Sequence, residues 1–324
     1  MQVSENKQNG RNHELPFIGS PAFIERYRQI AETMQRHRTI LITGESGVGK
    51  TSLAKFLCQH SSWYNQKIRT VWLDEIPADL IEPELFGNPE GFEGRIKVAD
   101  EGTLILKDVM HLPQHLQAKF LRLLEENEFE RLGEAAIVKV NLRVICIAGE
   151  NLLPATLENK FRQDLYYKLS ATEIAIPPLR NRGEDIEPLS LYYLNGTALR
   201  QRKSLERIEP EALHVLQDYA WPGNVRELKA EIEHAVSQAA PEKFSLEASD
   251  LSSKVRFKLP PIEACGENLA DKIKSVERQM IIEAIEYNHG NKVRAAQYLG
   301  IKHRTLYEKM KTLQIPLDIH NASA

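Results

Sequence analysis

The sequence predicts an α/β domain built on a parallel sheet, followed by two purely helical units. Three observations predict it. Short apolar runs of strand character alternate with helix-like segments from Pro16 to about Pro178. A glycine-rich turn, Gly44-Glu45-Ser46-Gly47-Val48-Gly49-Lys50-Thr51, separates the first such run from the first helix. Beyond Arg182 the strand-like runs give way to helical patterns alone.

In chain order, residues 1–15 are polar, lack an apolar signal core and read as a mobile tail. That tail is too short for a receiver or ligand-sensing domain. Control is therefore expected from expression level, a partner protein, or nucleotide and small-molecule binding to the core. Residues 16–180 form the α/β domain. Its candidate strands are Thr39–Thr43, Thr70–Leu73, Gly102–Leu106 and Leu142–Ala148. Between the last two, Leu116, Phe120, Leu121 and Leu124 repeat at helical spacing over 113–127.

The turn at 44–51 satisfies G-x-x-x-x-G-K-[ST] at every fixed position. Glycine lets backbone N–H groups turn onto phosphate oxygens without a Cβ in the way. Lys50 would reach the β- and γ-phosphates, and the Thr51 hydroxyl would hold Mg²⁺. The strand before the loop and the helix from Thr51 to Cys58 place a nucleotide phosphate on a helix N-terminus. ATP is the expected cofactor and Mg²⁺ its companion ion. A chance glycine-rich turn would not need both flanking elements.

Residues 181–244 read as a helical unit. Pro210 and Glu211 open one helix, and Trp221-Pro222-Gly223-Asn224 forms a turn before another. Residues 245–269 are polar, contain Pro260-Pro261 and read as a linker. Residues 270–316 form a compact helical unit, and 317–324 a short tail. In that unit Ile273, Val276, Met280, Ala284 and Ile285 share one helical face. Two short helices joined at Gly300 follow, with helix-turn-helix proportions.

Between Asn291 and Lys311 six cationic side chains stand against Glu308 alone. This is the local patch expected of a surface for double-stranded DNA. Lys292, Arg294 and Lys309 would meet phosphates. Lys302, His303, Arg304 and Thr305 lie at the recognition-helix N-terminus, where base edges are met, with Leu306 and Met310 facing inward. A solvated basic helix packed on the α/β core is the bland alternative.

The 324-residue chain is 42% hydrophobic and 27% charged with a net charge of −3, so any nucleic-acid contact must be local. Cys58, Cys146 and Cys265 follow no metal or disulfide spacing and read as reduced thiols of a cytoplasmic protein. The histidines show no metal-ligand spacing. No apolar run approaches the ~20 residues a membrane helix needs, so no membrane partner is expected.

Several ordered motifs carry a resemblance. They are Glu84-Leu85-Phe86-Gly87, Gly102-Thr103-Leu104, Phe129-Glu130-Arg131-Leu132-Gly133, Phe161-Arg162 with Asp164-Leu165-Tyr166-Tyr167, Pro177-Pro178-Leu179-Arg180, and the run from Trp221 to Leu228. With the phosphate loop, these resemble the AAA+ domain of NtrC-like sigma-54-dependent activators. Gly290-Asn291-Lys292, Ala295-Ala296, Leu299-Gly300-Ile301 and Arg304-Thr305-Leu306-Tyr307 resemble the Fis-type helix-turn-helix of the same family. The resemblance implies an ATP-hydrolysing ring that remodels sigma-54 RNA polymerase, and a DNA-binding dimer paired through the helix at 271–288.

The departures from the family pattern bear on catalysis. The family's Asp-Glu pair after the third strand is Lys107-Asp108 here. The Asp serves the Mg²⁺ shell, and the Glu polarises the attacking water. Lys107 puts an ammonium near the metal's place, and Asp108 is one methylene short of Glu. Trp72 replaces an Asn that couples nucleotide state to loop movement, and Gly149 replaces the polar sensor Asn. Of two trans-acting arginines, Arg162 is kept and the second is Lys168, which lacks the planar fork. Arg226 holds the lid sensor position. The GAFTGA string that contacts sigma-54 is missing from a shortened segment after Gly87, where Phe92 is expected to serve packing.

The sequence therefore predicts a sequence-specific DNA-binding regulator that binds ATP, hydrolyses it poorly and does not remodel sigma-54 polymerase. Contact with RNA polymerase or another regulator would carry the output. Two alternatives stand: an active sigma-54 activator with an atypical contact loop, or a non-DNA adaptor in rings of a related activator.

Overall fold

The computed structural model describes residues 17–61, 67–88, 91–131, 137–149, 152–256, 269–288, 290–313 and 315. The expected tails, the 257–268 part of the expected linker, Cys265 and His289 lie outside them. The chain divides into two compact units, residues 1–189 with 223–227, and residues 190–222 with 228–324.

The first unit opens with α1 (Pro21–Thr33), where Ser20 caps the helix by accepting from the Phe23 N–H and Pro21 supplies a preset first φ. There follow β1 (Thr39–Thr43), α2 (Lys50–Gln59), β2 (Ile68–Trp72), α3 (Ile81–Phe86), α4 (Gly94–Val98) and β3 (Thr103–Lys107). Next come α5 (Gln114–Glu126), β4 (Glu128–Glu130), β5 (Ile137–Lys139), β6 (Arg143–Ile147), α6 (Leu152–Leu157), α7 (Gln163–Ser170) and β7 (Glu173–Ala175). The main sheet has the order β2-β3-β6-β1-β7, and every pairing is parallel. The expected parallel sheet is present, with its four anticipated strands and the three-residue β7 added at an edge.

Strand alternation sends side chains to two cores. Ile40, Ile42, Ile105, Ile145 and Ile147 pack on α1 and α2, with Tyr27, Leu53 and Ala54. Leu41, Leu104, Leu106, Val144 and Cys146 pack on the opposite face, with Leu116 and Phe120 of α5 and Leu165 of α7. Burial raises the Cys58 thiol to about 11 and the Cys146 thiol to about 12, so both stay protonated at neutral pH.

Arg143 opens β6 and is fully buried. Its guanidinium donates to the carbonyls of Met34 at 3.0 Å, His37 at 3.1 Å and Leu57 at 3.4 Å. One side chain thus ties the ends of α1 and α2 to the start of a central strand. It satisfies carbonyls that a helix terminus leaves open.

The second unit takes in most of α8 (Ile186–Gln201), then β8 (Arg207–Ile208), α9 (Pro210–Asp218), most of α10 (Asn224–Gln238), β9 (Ser245–Leu246) and α11 (Ser253–Arg256). Trp221 is fully buried and donates its indole N–H to the Leu216 carbonyl at 2.7 Å. Lys203 donates to the carbonyls of Val236, Ser237 and Ala239 at 2.6–2.8 Å, closing the C-terminal end of α10. The stretch expected to be linker from residue 245 begins as ordered structure. β9 pairs with β8, and Ser252 bonds Glu231 through its N–H and its hydroxyl. Polarity hid it, because these pairings are made across long sequence separations.

The same unit holds α12 (Leu269–Tyr287), α13 (Lys292–Tyr298) and α14 (His303–Thr312). Asn291 caps α13 by accepting from the N–H groups of Val293 and Arg294. Their core is Ile281, Ala284, Ile285, Ala295, Ala296, Leu306 and Met310. Ile273, expected on the apolar face of α12, is instead 57% exposed.

Replacing Arg143 with Met leaves three carbonyl contacts unmade in a dry site. It should cost about 2–4 kcal/mol in urea unfolding. Replacing Lys203 with Met should cost about 1–3 kcal/mol, with the loss appearing as earlier hydrogen exchange at the end of α10.

Candidate nucleotide site and DNA surface

The loop between β1 and α2 has the shape a phosphate cradle requires. Gly47 has φ +81°, and a Cβ there would meet the Gly223 carbonyl oxygen at 2.3 Å. Gly49, at φ +106°, is the N-cap of α2. Only glycine adopts these conformations without strain. Lys50 Nζ lies over the loop, donating to the carbonyls of Gly44 at 2.6 Å and Glu45 at 2.8 Å. Thr51 stands in the first turn of α2, partly exposed.

A clasp of distant residues fixes this loop. Arg180 donates to both Glu45 carboxylate oxygens, at 2.5 and 2.9 Å. Asn224, fully buried, donates to Glu45 at 3.0 Å and to the Ser46 carbonyl at 3.0 Å, and accepts from the Leu179 N–H at 2.7 Å. Arg182 donates to the Val48 carbonyl at 2.7 Å and pairs with buried Asp185. Arg226 reaches the Ser46 hydroxyl at 3.2 Å. The Arg180 hydrogen bond, followed by that of Asn224, holds the Glu45 carboxyl below the usual carboxylate range. Seven of the expected loop residues and Arg226 are therefore brought together, and Val48 is buried beneath them.

At the same end of the sheet, Trp72, Lys107, Ile147 and Ile42 are aligned in register across β2, β3, β6 and β1. Aligned residues of a parallel sheet share a face. Ile42 and Ile147 lie in the core that α2 covers, so Lys107 projects on the side of α2 and its N-terminal turn. Its ammonium sits 5.4 Å from the centroid of the Trp72 ring. Asp108 leaves the strand in a left-handed conformation, φ 54° and ψ 53°. Gly149 stands two residues past Ile147, and a Cβ there would meet nothing within 4 Å.

The residues fit a polyphosphate. Glycine turns, Lys50, the opening of α2 and Arg226 converge on one loop. They do not fit a magnesium shell. Thr51 offers one neutral oxygen, and the strand position that should add a carboxylate carries an ammonium. Among the described residues no group of three or more His, Cys, Asp or Glu could hold a metal ion.

The remaining expected residues lie elsewhere. Arg162 stands at the N-cap position of α7 without a capping side-chain bond and pairs with Asp164 at 2.7 Å, and Lys168 lies in the last turn of α7. No hydrogen bond among the described residues links either to the phosphate loop. Phe92, expected to pack, is 43% exposed. The Asn88 N–H donates to the Phe92 carbonyl, and the Arg95–Glu84 ion pair joins the flanking helices.

On the helical unit, Lys302, His303 and Arg304 are exposed at the start of α14, and Thr305 is partly exposed. His303 stacks on Tyr307 with centroids 4.8 Å apart, and Lys292 lies 5.9 Å from the same ring. Arg294 is exposed. The Lys309 ammonium, partly exposed, bonds Glu277 of α12. Tyr307 was not anticipated as a surface residue; its contacts with His303 and Lys292 emerge only in three dimensions.

Among the described residues, no helix is long and apolar enough to cross a membrane.

Comparisons with known proteins agree with this layout. Residues 17–175 match the sigma-54 interaction domain, 180–263 the AAA+ ATPase lid domain, and 272–313 the Fis family of bacterial regulatory proteins. The regulatory protein AtoC of Escherichia coli K12 is 35% identical over 93% of this chain and 68% of its own length. The nitrogen fixation protein AnfA of Azotobacter vinelandii is 35% identical over 95% of this chain and 60% of its own. The crystal structure of NtrX from Brucella abortus in complex with ATP superposes with a TM-score of 0.70. It has 31% identity over 93% of this chain and 70% of that one. The chain thus spans roughly two thirds of the length of these relatives. It belongs to the family of NtrC- and AtoC-type sigma-54-dependent transcription activators, with the AAA+ sigma-54 interaction domain, its lid and a Fis-type helix-turn-helix.

Proposed function

We propose that this chain is a sequence-specific DNA-binding transcription regulator that binds ATP, hydrolyses it slowly and does not remodel sigma-54 polymerase. One observation carries the reading: Lys107 projects from the end of β3 toward the α2 side, where hydrolysis needs a carboxylate.

The cradle and the cutting machinery have separate physical requirements. Phosphate binding needs backbone N–H groups, Lys50 and the opening of α2. The clasp through Glu45, Arg180 and Asn224 keeps these groups aligned. When bound, ATP would supply a polyanion that draws Lys50 and Arg226 onto its phosphates. Hydrolysis also needs an oriented water and neutralisation of charge developing on the phosphoryl oxygens. Asp108 stands in a left-handed backbone turn, one methylene short of Glu, and Gly149 offers no side-chain polar group to hold a water. Losing such groups costs orders of magnitude in rate while leaving ground-state binding largely intact.

The braced turn between α3 and α4 supports the loss of remodelling. Gly87 and Gly94 approach so closely that a Cβ on Gly94 would meet the Gly87 nitrogen at 2.4 Å. The short stretch of sequence between these two glycines leaves little to project toward a polymerase. Output would pass through the DNA-bound protein contacting polymerase or another regulator. The DNA-bound form is a dimer paired through α12, where Ile273 is exposed. The opposing reading, an ordinary ATP-driven activator, draws support from retained Arg162 and Arg226.

Restoring the acidic pair and the sensor, as Lys107→Asp with Asp108→Glu and Gly149→Asn, should raise ATP turnover at least about a hundredfold over the unmodified chain. An unchanged or lower rate in a folded variant would count against the reading. In gel-shift assays on bound genomic fragments, Arg304→Ala should weaken binding by about 1–3 kcal/mol and relax base preference. Arg294→Ala, at an exposed position expected to meet phosphate, should reduce the slope of log affinity against log salt by about one. Neither change should alter nucleotide affinity.

A further inference from the structure

We infer that Lys107 takes the place of the divalent cation, so that this chain binds a nucleoside triphosphate without magnesium. The inference rests on the nucleotide-binding reading above and goes further: it assigns a phosphate-neutralising role to a residue outside the glycine loop.

Position comes first. Lys107 is the last residue of β3, level with Ile42 of β1, two residues before the loop begins at Gly44. Its face of the sheet is the one α2 covers, and α2 packs across β1, β3 and β6. The N-terminal turn of α2, with Lys50 and Thr51, stands at this same end of the sheet, because the loop that feeds it follows β1 directly. A flexible four-carbon stem carries the ammonium from the strand end toward that turn.

Charge comes second. A triphosphate needs cations against its β- and γ-oxygens, normally a divalent ion together with the loop lysine. Ammonium is an established phosphate partner as a point charge. It also repels a metal cation from the place it fills. No carboxylate among the described residues pairs with Lys107.

The neighbour comes third. Trp72 lies level with Lys107 on the adjacent strand, exposed, with its ring under the ammonium. The ring holds the charge at the sheet end by a cation–π contact without neutralising it. A carboxylate there would cancel it. Both members of the pair are departures from the family's pattern, and each explains the other.

The test is a titration of the purified full chain with a fluorescent ATP analogue, in excess Mg²⁺ and in EDTA. The dissociation constants should agree within about threefold. Lys107→Met should weaken binding in EDTA at least about tenfold, and Lys107→Asp should make binding dependent on Mg²⁺. If EDTA abolishes binding by the unmodified chain while Mg²⁺ supports it, the inference is overturned and the nucleotide-binding reading stands. If the unmodified chain binds in neither buffer, as Lys50→Ala should not, the underlying reading fails as well. The unmodified chain decides the question even if the Asp variant does not fold.

Discussion

The clasp between Glu45 and its partners Arg180 and Asn224 is the constraint from which the site follows. A glycine-rich loop is costly to order, since each glycine surrenders more backbone freedom than any other residue. Here a charge-assisted fork and a buried amide hold the loop from outside. Asn224, which opens α10, also accepts from the Leu179 N–H, so the loop is tied to both of these chain segments. The cradle is rigid because of residues 135 and 179 positions away. A loop maintained by so many specific contacts is an expensive feature for a protein that does not use it.

Against that retention stands the row Trp72, Lys107, Ile147 and Ile42. The end of a parallel sheet is where strands deliver functional side chains to a bound ligand. Three of the strands that should deliver polar or acidic groups deliver a ring, an ammonium and, past Ile147, a glycine. These changes are compatible with one another. In the reading proposed above, the ammonium needs no counter-carboxylate when a ring lies beneath it, and the glycine leaves no polar side chain there to hold a water. The proposed outcome is an environment suited to a polyanion and poorly suited to activating water.

Much of this was legible in the sequence. The phosphate loop, the strand at 39–43, the strand read as 102–106 and found at 103–107, and the identity of Lys107 were read directly, because the motif has fixed spacing and the strands are apolar. The facing of Lys107 follows from alternation with Ile105, yet its pairing with Trp72 needed the register of β2 on β3. Three-residue β7 and the β4–β5 hairpin are too short for periodicity to reveal. Arg143 looked like any charged residue at a strand start, and only the meeting of two helix ends explains its burial. Phe92 was misplaced because a hydrophobic residue in a tight turn can face either way.

The most direct measurement is ATP binding and ATP turnover on one purified sample, with and without bound DNA. This account predicts saturable binding, lost on Lys50→Ala, with turnover below about 0.01 per second in both states, far under the usual enzyme rate of about 10 per second. Turnover near the usual rate, together with opening of a sigma-54 promoter, would contradict it.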